Sequence, residues 1–171
     1  MEIFKDKKFD FAIYGGSVKG ILTACILAKK NYKILLINKY GFLGGAISEN
    51  LNILQNLDSI EFNKSLLNFD SLFYNPNNLS KKFINPEQLK FDLQDLLLNY
   101  AIEPLFHVTP ISATQNEINL VGKEGILTVK ANKIIDCSDN LYLEFLNKNV
   151  SYSKGFYFFT IKGEISDKNL Q

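Results

Sequence analysis

The apolar positions of this chain change period from one block to the next. Phe9–Tyr14 is a short, mostly apolar run that stops at Gly15, the pattern of a parallel strand buried on both faces. In Val18–Lys30 the apolar residues Val18, Ile21, Leu22, Cys25 and Ile26 recur at helical spacing. Lys29 and Lys30 suit the negative end of that helix's dipole. Lys33–Asn38 is nearly all Ile and Leu, a second strand. Strand, helix and strand in that order predict a right-handed parallel crossover.

Residues 46–84 carry no clear period. They are rich in Asn, Leu, Ser and Phe, with Asn75-Pro76, and predict irregular structure with a short helix or two. A helix start follows. Asn85 is a cap, Pro86 takes the first helical position and Gln88 completes a capping-box pattern. The helix should run to about Tyr100, with Leu89, Leu93, Leu96, Leu97 and Tyr100 on one face. Glu103–Val108 reads as another parallel strand. Ile111–Ala113, Glu117–Val121 and Ile126–Lys130 read as antiparallel strands, with Gly122 to Gly125 as the hairpin turn. Lys133–Cys137 is an apolar strand returning to the sheet, and Phe156–Ile161 is a last strand-like run.

Composition narrows the function classes. The 171 residues are 46% hydrophobic and 22% charged, with a formal net charge of +1. That balance is globular and makes no electrostatic case for nucleic acid or an anionic membrane. The longest apolar stretch, near Ile21–Ala28, is far short of the roughly 20 residues that span a bilayer. The N-terminus has no apolar core of a signal peptide. Cys25 and Cys137 do not form a disulfide framework and read as reduced core residues, so a cytoplasmic location is expected. His107 is the single histidine, without the Cys/His spacing of a zinc site and without a nucleophile-elbow motif beside it. No metal site is expected, and His107 reads as structural.

The chemistry-bearing feature lies between the first strand and helix: Gly15-Gly16-Ser17-Val18-Lys19-Gly20. A glycine turn there, followed by a helix and a second strand, is the layout of a dinucleotide-binding unit. Ser17 stands where the second glycine of that pattern belongs, and Asn38 where a ribose-binding carboxylate belongs. A second glycine loop follows, Asn38-Lys39-Tyr40-Gly41-Phe42-Leu43-Gly44-Gly45. With the Asn85-Pro86-Glu87-Gln88-Leu89-Lys90 helix start, the Leu105–Pro110 segment and Ile134-Ile135-Asp136-Cys137-Ser138, the stretch from Asp10 to about Asn140 resembles the FAD-dependent oxidoreductase superfamily. The likeness is to members whose second loop reads Glu-Lys-Tyr-Gly-Phe-Leu-Gly-Gly.

The resemblance implies an α/β, Rossmann-like FAD/NAD(P)-binding domain, with a parallel sheet and a small antiparallel β-meander. It implies that Gly15 makes the tight turn, that position 17 lets the backbone approach the pyrophosphate, and that Gly20 lets helix and sheet pack closely. The helix N-terminus, with Gly16, Val18 and Lys19, would face the phosphates. Position 38, with Lys39, would meet the ribose. Gly44 and Gly45 would bring backbone near the cofactor, Ile111 would meet the adenine through its main chain, and the family's glycine and aspartate after the last strand correspond to Asp139 and Asn140.

Three departures fall in that pocket. Ser17 crowds the pyrophosphate or strains the turn, or else donates its hydroxyl to a phosphate oxygen. Lys19 beside it, not itself a departure from the pattern, opposes the helix dipole unless an anion is bound. Asn38 loses a charge-assisted bond, a penalty of about 1 kcal/mol. Asp139 repels a pyrophosphate unless it turns away. No catalytic residue carries over from the family. The expected function is an FAD-binding module of a flavin-dependent oxidoreductase, completed by a partner chain as a homo- or hetero-oligomer. One alternative is a non-catalytic Rossmann-like subunit that has lost FAD and serves assembly or regulation. Another is binding of a smaller adenine nucleotide. Residues 1–150 are read as the FAD-binding domain, and 151–171 as the start of a substrate domain or an oligomer-contact strand.

Overall fold

A computed structural model of the chain describes residues 7–49, 54–56, 73–74, 81–140 and 142–147. In chain order the elements are β1 (Phe9–Tyr14), α1 (Val18–Ala28), β2 (Ile34–Ile37), α2 (Ala46–Glu49), β3 (Leu54–Asn56), β4 (Phe73–Tyr74) and β5 (Lys81–Ile84). They continue with α3 (Pro86–Asn99), β6 (Ile102–Leu105), β7 (Thr109–Ala113), β8 (Glu117–Gly122), β9 (Gly125–Asp136) and α4 (Tyr142–Asn147). The main sheet has six strands in the order β6-β2-β1-β9-β8-β7. β1 pairs in parallel with β2 and with the second half of β9, and β2 pairs in parallel with β6. β7, β8 and the first half of β9 form an antiparallel meander. This is the α/β parallel sheet with a small meander that the sequence predicts.

Two apolar layers explain why β1 and β2 are apolar runs instead of alternating strands. On one face Ile13, Ile34 and Leu36 pack with Ile21, Ala24 and Cys25 of α1 and with Leu89, Leu93 and Leu97 of α3. On the other face Ala12, Tyr14, Leu35 and Ile37 pack with Ile118, Leu120 and Val129 of the meander and with Leu143 of α4. A fully buried Ile or Leu contributes about 1.5–3 kcal/mol, so both faces of β1 and β2 are strongly specified. In the meander half of β9 one face is wet, and burial alternates at Leu127, Val129 and Ala131.

Several expectations are corrected. Ile126–Lys130 and Lys133–Cys137 are not two strands. They are parts of the single strand β9, which changes neighbour near Ala131. The exposed Asn132 and Lys133 look like a break in sequence, yet their backbone continues the ladder. Asn85 does cap α3, accepting from the N–H groups of Glu87 and Gln88 at 3.1 and 3.2 Å. Gln88 does not close a capping box. It reaches forward to Asp92 at 2.7 Å. Ile26 belongs to the solvent side of α1, at 42% exposure. The strand expected over Glu103–Val108 covers Ile102–Leu105.

Within residues 46–84, α2 is a short helix as expected. The antiparallel sheet β3-β5-β4 was not foreseen, because its pairing joins segments far apart in sequence. Phe156–Ile161 lies outside the described residues.

Glycine is required where α1 meets β1. A Cβ at position 20 would stand 2.0 Å from the Gly15 carbonyl oxygen. At Gly125, in the hairpin turn, φ is +97° but nothing lies within 4 Å of a Cβ. Gly20→Ala is therefore expected to cost at least the ~3 kcal/mol upper end of ordinary overpacking. Gly125→Ala, with strain alone, should cost about 1–2 kcal/mol. Urea denaturation of both variants checks this, and equal losses would contradict it.

Candidate functional site

The parallel strands β1, β2 and β9 all end at one edge of the sheet, and a cleft of about 310 Å3 opens there, beside the N-terminal end of α1. That is near the lower end of the ~300–1,000 Å3 of small-molecule sites. The crevice beyond the carboxyl ends of parallel strands is where open α/β sheets place ligands.

The first glycine loop forms its floor. Gly15 adopts φ +110°, and a Cβ there would strike the backbone of Cys137 and Ser138 at 2.5–2.7 Å, so only glycine fits. Ser17, at φ −70° and ψ 167°, is in ordinary extended conformation and needs no glycine. Its buried hydroxyl donates to the Cys137 carbonyl at 2.7 Å and accepts from the Gly20 N–H at 3.3 Å. Ser17 is thus the N-cap of α1 and a tie between that helix and the end of β9. Its single hydroxyl proton is directed at Cys137, away from any phosphate. Lys19 is exposed in the first turn of α1.

Asn38 closes the floor at the end of β2. It is buried, accepts from the Gly16 N–H at 2.9 Å, and donates to the carbonyls of Tyr40 and Phe42 at 3.1 and 2.8 Å. The second glycine loop lies directly on the first. The Gly44 N–H donates to the Gly16 carbonyl at 2.7 Å, and Ser17 and Gly44 form an isolated parallel bridge. Gly44 and Gly45 have φ of +119° and +58°. A Cβ at Gly44 would meet Ser48 Oγ at 2.0 Å, and one at Gly45 would meet Asp139 Oδ2 at 2.3 Å. Loop packing alone is enough to demand glycine at both positions.

The far wall carries charge and phenol groups. Asp139 turns toward the second loop and accepts from the Ala46 N–H at 2.6 Å, at the start of α2. Glu49, on the same short helix, has its carboxyl pushed above the ordinary glutamate value. Burial is the main cause, Asp139 adds to it, and Lys39 opposes both. Tyr14 is held protonated by burial, reinforced by Tyr142 and Asp136. In the wall, Tyr40 stacks on Phe42 with ring centroids 5.3 Å apart, Lys39 lies over the Tyr40 ring at 5.1 Å and Lys90 over the Phe42 ring at 4.8 Å.

Comparison with known proteins assigns this frame. A family model described as FAD dependent oxidoreductase matches residues 10–146. The chain belongs to the FAD-dependent oxidoreductase family. Among solved structures it is similar to THI4 of Thermovibrio ammonificans, at 15% identity and TM-score 0.57, over 75% of this chain and 57% of that one. It is similar to the p-nitrophenol 4-monooxygenase PnpA of Pseudomonas putida, at 11% identity and TM-score 0.53, over 77% and 41%. It is also similar to a geranylgeranyl bacteriochlorophyll reductase-like protein of Thermoplasma acidophilum, at 15% identity and TM-score 0.55, over 77% and 39%. These likenesses are of fold. The chain spans 39–57% of the length of these three proteins. No curated protein matches it.

Of the positions singled out in the sequence of this family member, the cleft wall includes Gly15, Gly16, Ser17, Asn38, Lys39, Gly45 and Asp139. Val18, Lys19, Gly20 and Gly44 do not line it. Ile111 is 46% exposed, at a bulge in β7 between Pro110 and Ser112, and Thr109 two residues earlier lines the cleft. Sequence reasoning missed Tyr14, Glu49 and Tyr142. Tyr14 was legible as the last residue of β1. Glu49 and Tyr142 arrive from helices whose placement no local pattern reveals.

His107 is exposed at φ +59°, its ring against Gly41 and outside the cleft wall. Cys25 and Cys137 are buried free thiols, and burial pushes the Cys25 thiol up to about 11. Among the described residues no group of His, Cys, Asp and Glu could hold a metal ion, and no helix is long and apolar enough to cross a membrane.

Two predictions follow from the wall. Replacing Ser17 by Gly restores the dinucleotide pattern but strips the Cys137 carbonyl of its donor, so S17G should lose about 1–2 kcal/mol in urea denaturation. A gain in stability would contradict the capping role. Because the Glu49 carboxyl is raised on folding, its favourable contribution is complete below the unfolded value and is lost as pH rises through the folded one. E49Q should therefore melt higher than the unsubstituted protein at pH 7, and the gap should close near pH ~4. A gap of the same size at both pH values would count against this.

Proposed function

We propose that this chain is the FAD-binding module of a flavin-dependent oxidoreductase, holding the adenosine diphosphate half of the cofactor while a partner chain or further segment completes the flavin side. The observation that carries the reading is the meeting of the two glycine loops at the N-terminal end of α1, at the edge where β1, β2 and β9 end. This floor of backbone, free of side chains at Gly15, Gly16 and Gly45, fits a diphosphate. The positive end of α1 and the exposed Lys19 supply attraction for it. Lys39, Tyr40 and Thr109 are positioned to receive the adenosine. Bound FAD would supply electron and hydride transfer. This chain's own part is to bind and orient the nucleotide.

A second reading is favoured by a specific observation. Ser17, Asn38 and Asp139, the three departures from the family pattern, each direct polar atoms into the protein instead of the cleft. Glu49 and Asp139 also put two carboxylates against one ammonium, Lys39, in the wall. Both facts support a Rossmann-like subunit that keeps the fold for assembly without FAD. A third reading is that the cleft takes a smaller adenine nucleotide such as ADP or NAD, since the βαβ unit alone could hold it.

Absorbance near 450 nm decides between the first two. The proposed module, purified or incubated with FAD, should retain flavin through desalting. Protein that stays colourless after saturation with FAD supports the second reading. ADP or NAD that raises the melting temperature of colourless protein supports the third.

A further inference from the structure

Asn38 sits where a dinucleotide fold ordinarily presents a carboxylate to the ribose 2′-hydroxyl. All three of its hydrogen bonds instead run to the protein. Oδ1 takes the Gly16 N–H of the first glycine loop, and Nδ2 gives its two protons to Tyr40 and Phe42 of the second. The side chain is 4% exposed, and a Cβ at Gly16 would touch its Cγ at 2.8 Å. We infer that residue 38 is a clamp positioning both glycine loops, and that a nucleotide in the cleft is gripped by its phosphates and base without discrimination at the ribose 2′-position. The second half of this inference rests on the proposed nucleotide site, whereas the first rests on hydrogen bonds alone.

The amide is what makes the clamp. It offers an acceptor to Gly16 and two donors to the carbonyls, whereas a carboxylate offers only acceptors. An aspartate here would keep the Gly16 bond and turn a charged oxygen toward the Tyr40 and Phe42 carbonyls. Burial and those carbonyls would raise its pKa. Protonated, it would recover one donor. The charged or titratable groups around the loop are Lys39 and Tyr40 within it, Lys90 from α3 over the Phe42 ring, His107 against Gly41, Asp139 from the end of β9 at Ala46, and Glu49 from α2 across the cleft. None of these side chains bonds Asn38. All are shared with the unsubstituted protein, and N38A, which adds no charge, is the control for them at each pH.

The test melts the full chain and its N38A and N38D variants at pH 5 and pH 7.5. N38A should melt lower by a similar amount at both. N38D should show its larger deficit at pH 7.5 and recover part of it at pH 5, because a raised folded pKa gives stability that is lost as pH rises. Failure of N38D to fold at pH 7.5 while N38A folds also supports the clamp. N38A as stable as the unsubstituted protein, or N38D equal to it at pH 7.5, overturns it.

The ribose half is read by competition of ADP and 2′-deoxy-ADP against FAD. Affinities within about threefold support it. A loss of about tenfold or more for the deoxy compound, the size of a charge-assisted bond, overturns it. If neither nucleotide binds, the ribose half falls together with the proposed function, and the melts still decide the clamp.

Discussion

Everything at the functional edge of this protein depends on the close approach of α1 to the end of β1. A Cβ at Gly20 would lie 2.0 Å from the Gly15 carbonyl oxygen, so the absence of that one carbon lets the helix come down onto the strand. From this contact the helix N-terminus acquires its place beside the cleft. Ser17 gains the reach to tie α1 to Cys137, and the sheet order β2-β1-β9 brings three strand ends to one crevice. The two apolar layers on either side of β1 and β2 hold that arrangement rigid, with Ile13 and Leu36 facing the helices and Ala12 and Ile37 facing the meander.

The second consequence is a knot of backbone contacts. The Gly44 N–H meets the Gly16 carbonyl, Asn38 bonds both loops, and Asp139 reaches from the end of β9 to the start of α2. Three segments distant in sequence, at residues 16, 38–46 and 139, are joined through polar groups that a dinucleotide-binding site would otherwise direct at a ligand. The glycines of the second loop do not by themselves require a cofactor, since Ser48, Asp139 and Ser17 already fill the space their side chains would need. The backbone frame suits a diphosphate, while the side chains around it mainly stabilise the frame.

Much of the fold was legible because local and global signals agree. β1, α1 and β2 show runs and periods set by burial on both faces of a sheet, and the Asn85-Pro86 cap marks the start of α3. The failures have physical causes. β9 reads as two strands because its neighbour changes from β8 to β1 at a polar stretch, and a ladder is a property of pairs of strands. The β3-β5-β4 sheet was invisible because its strands are two to four residues long and pair across long separations.

The same division runs through the site. The sequence by itself determined the βαβ unit, the two glycine loops and the identity of the three departures, because residue type, spacing and hydrophobic period are local quantities. It also established that Ser17, Asn38 and Asp139 carry polar atoms in place of the family's residues. Only the tertiary structure decided where those atoms point. Ser17 bonds a carbonyl 120 residues away, Asn38 straddles two loops, and Asp139 meets an N–H 93 residues distant. A hydrogen bond is chosen by the geometry of both partners, and one of each pair lies on a segment that the local pattern cannot place.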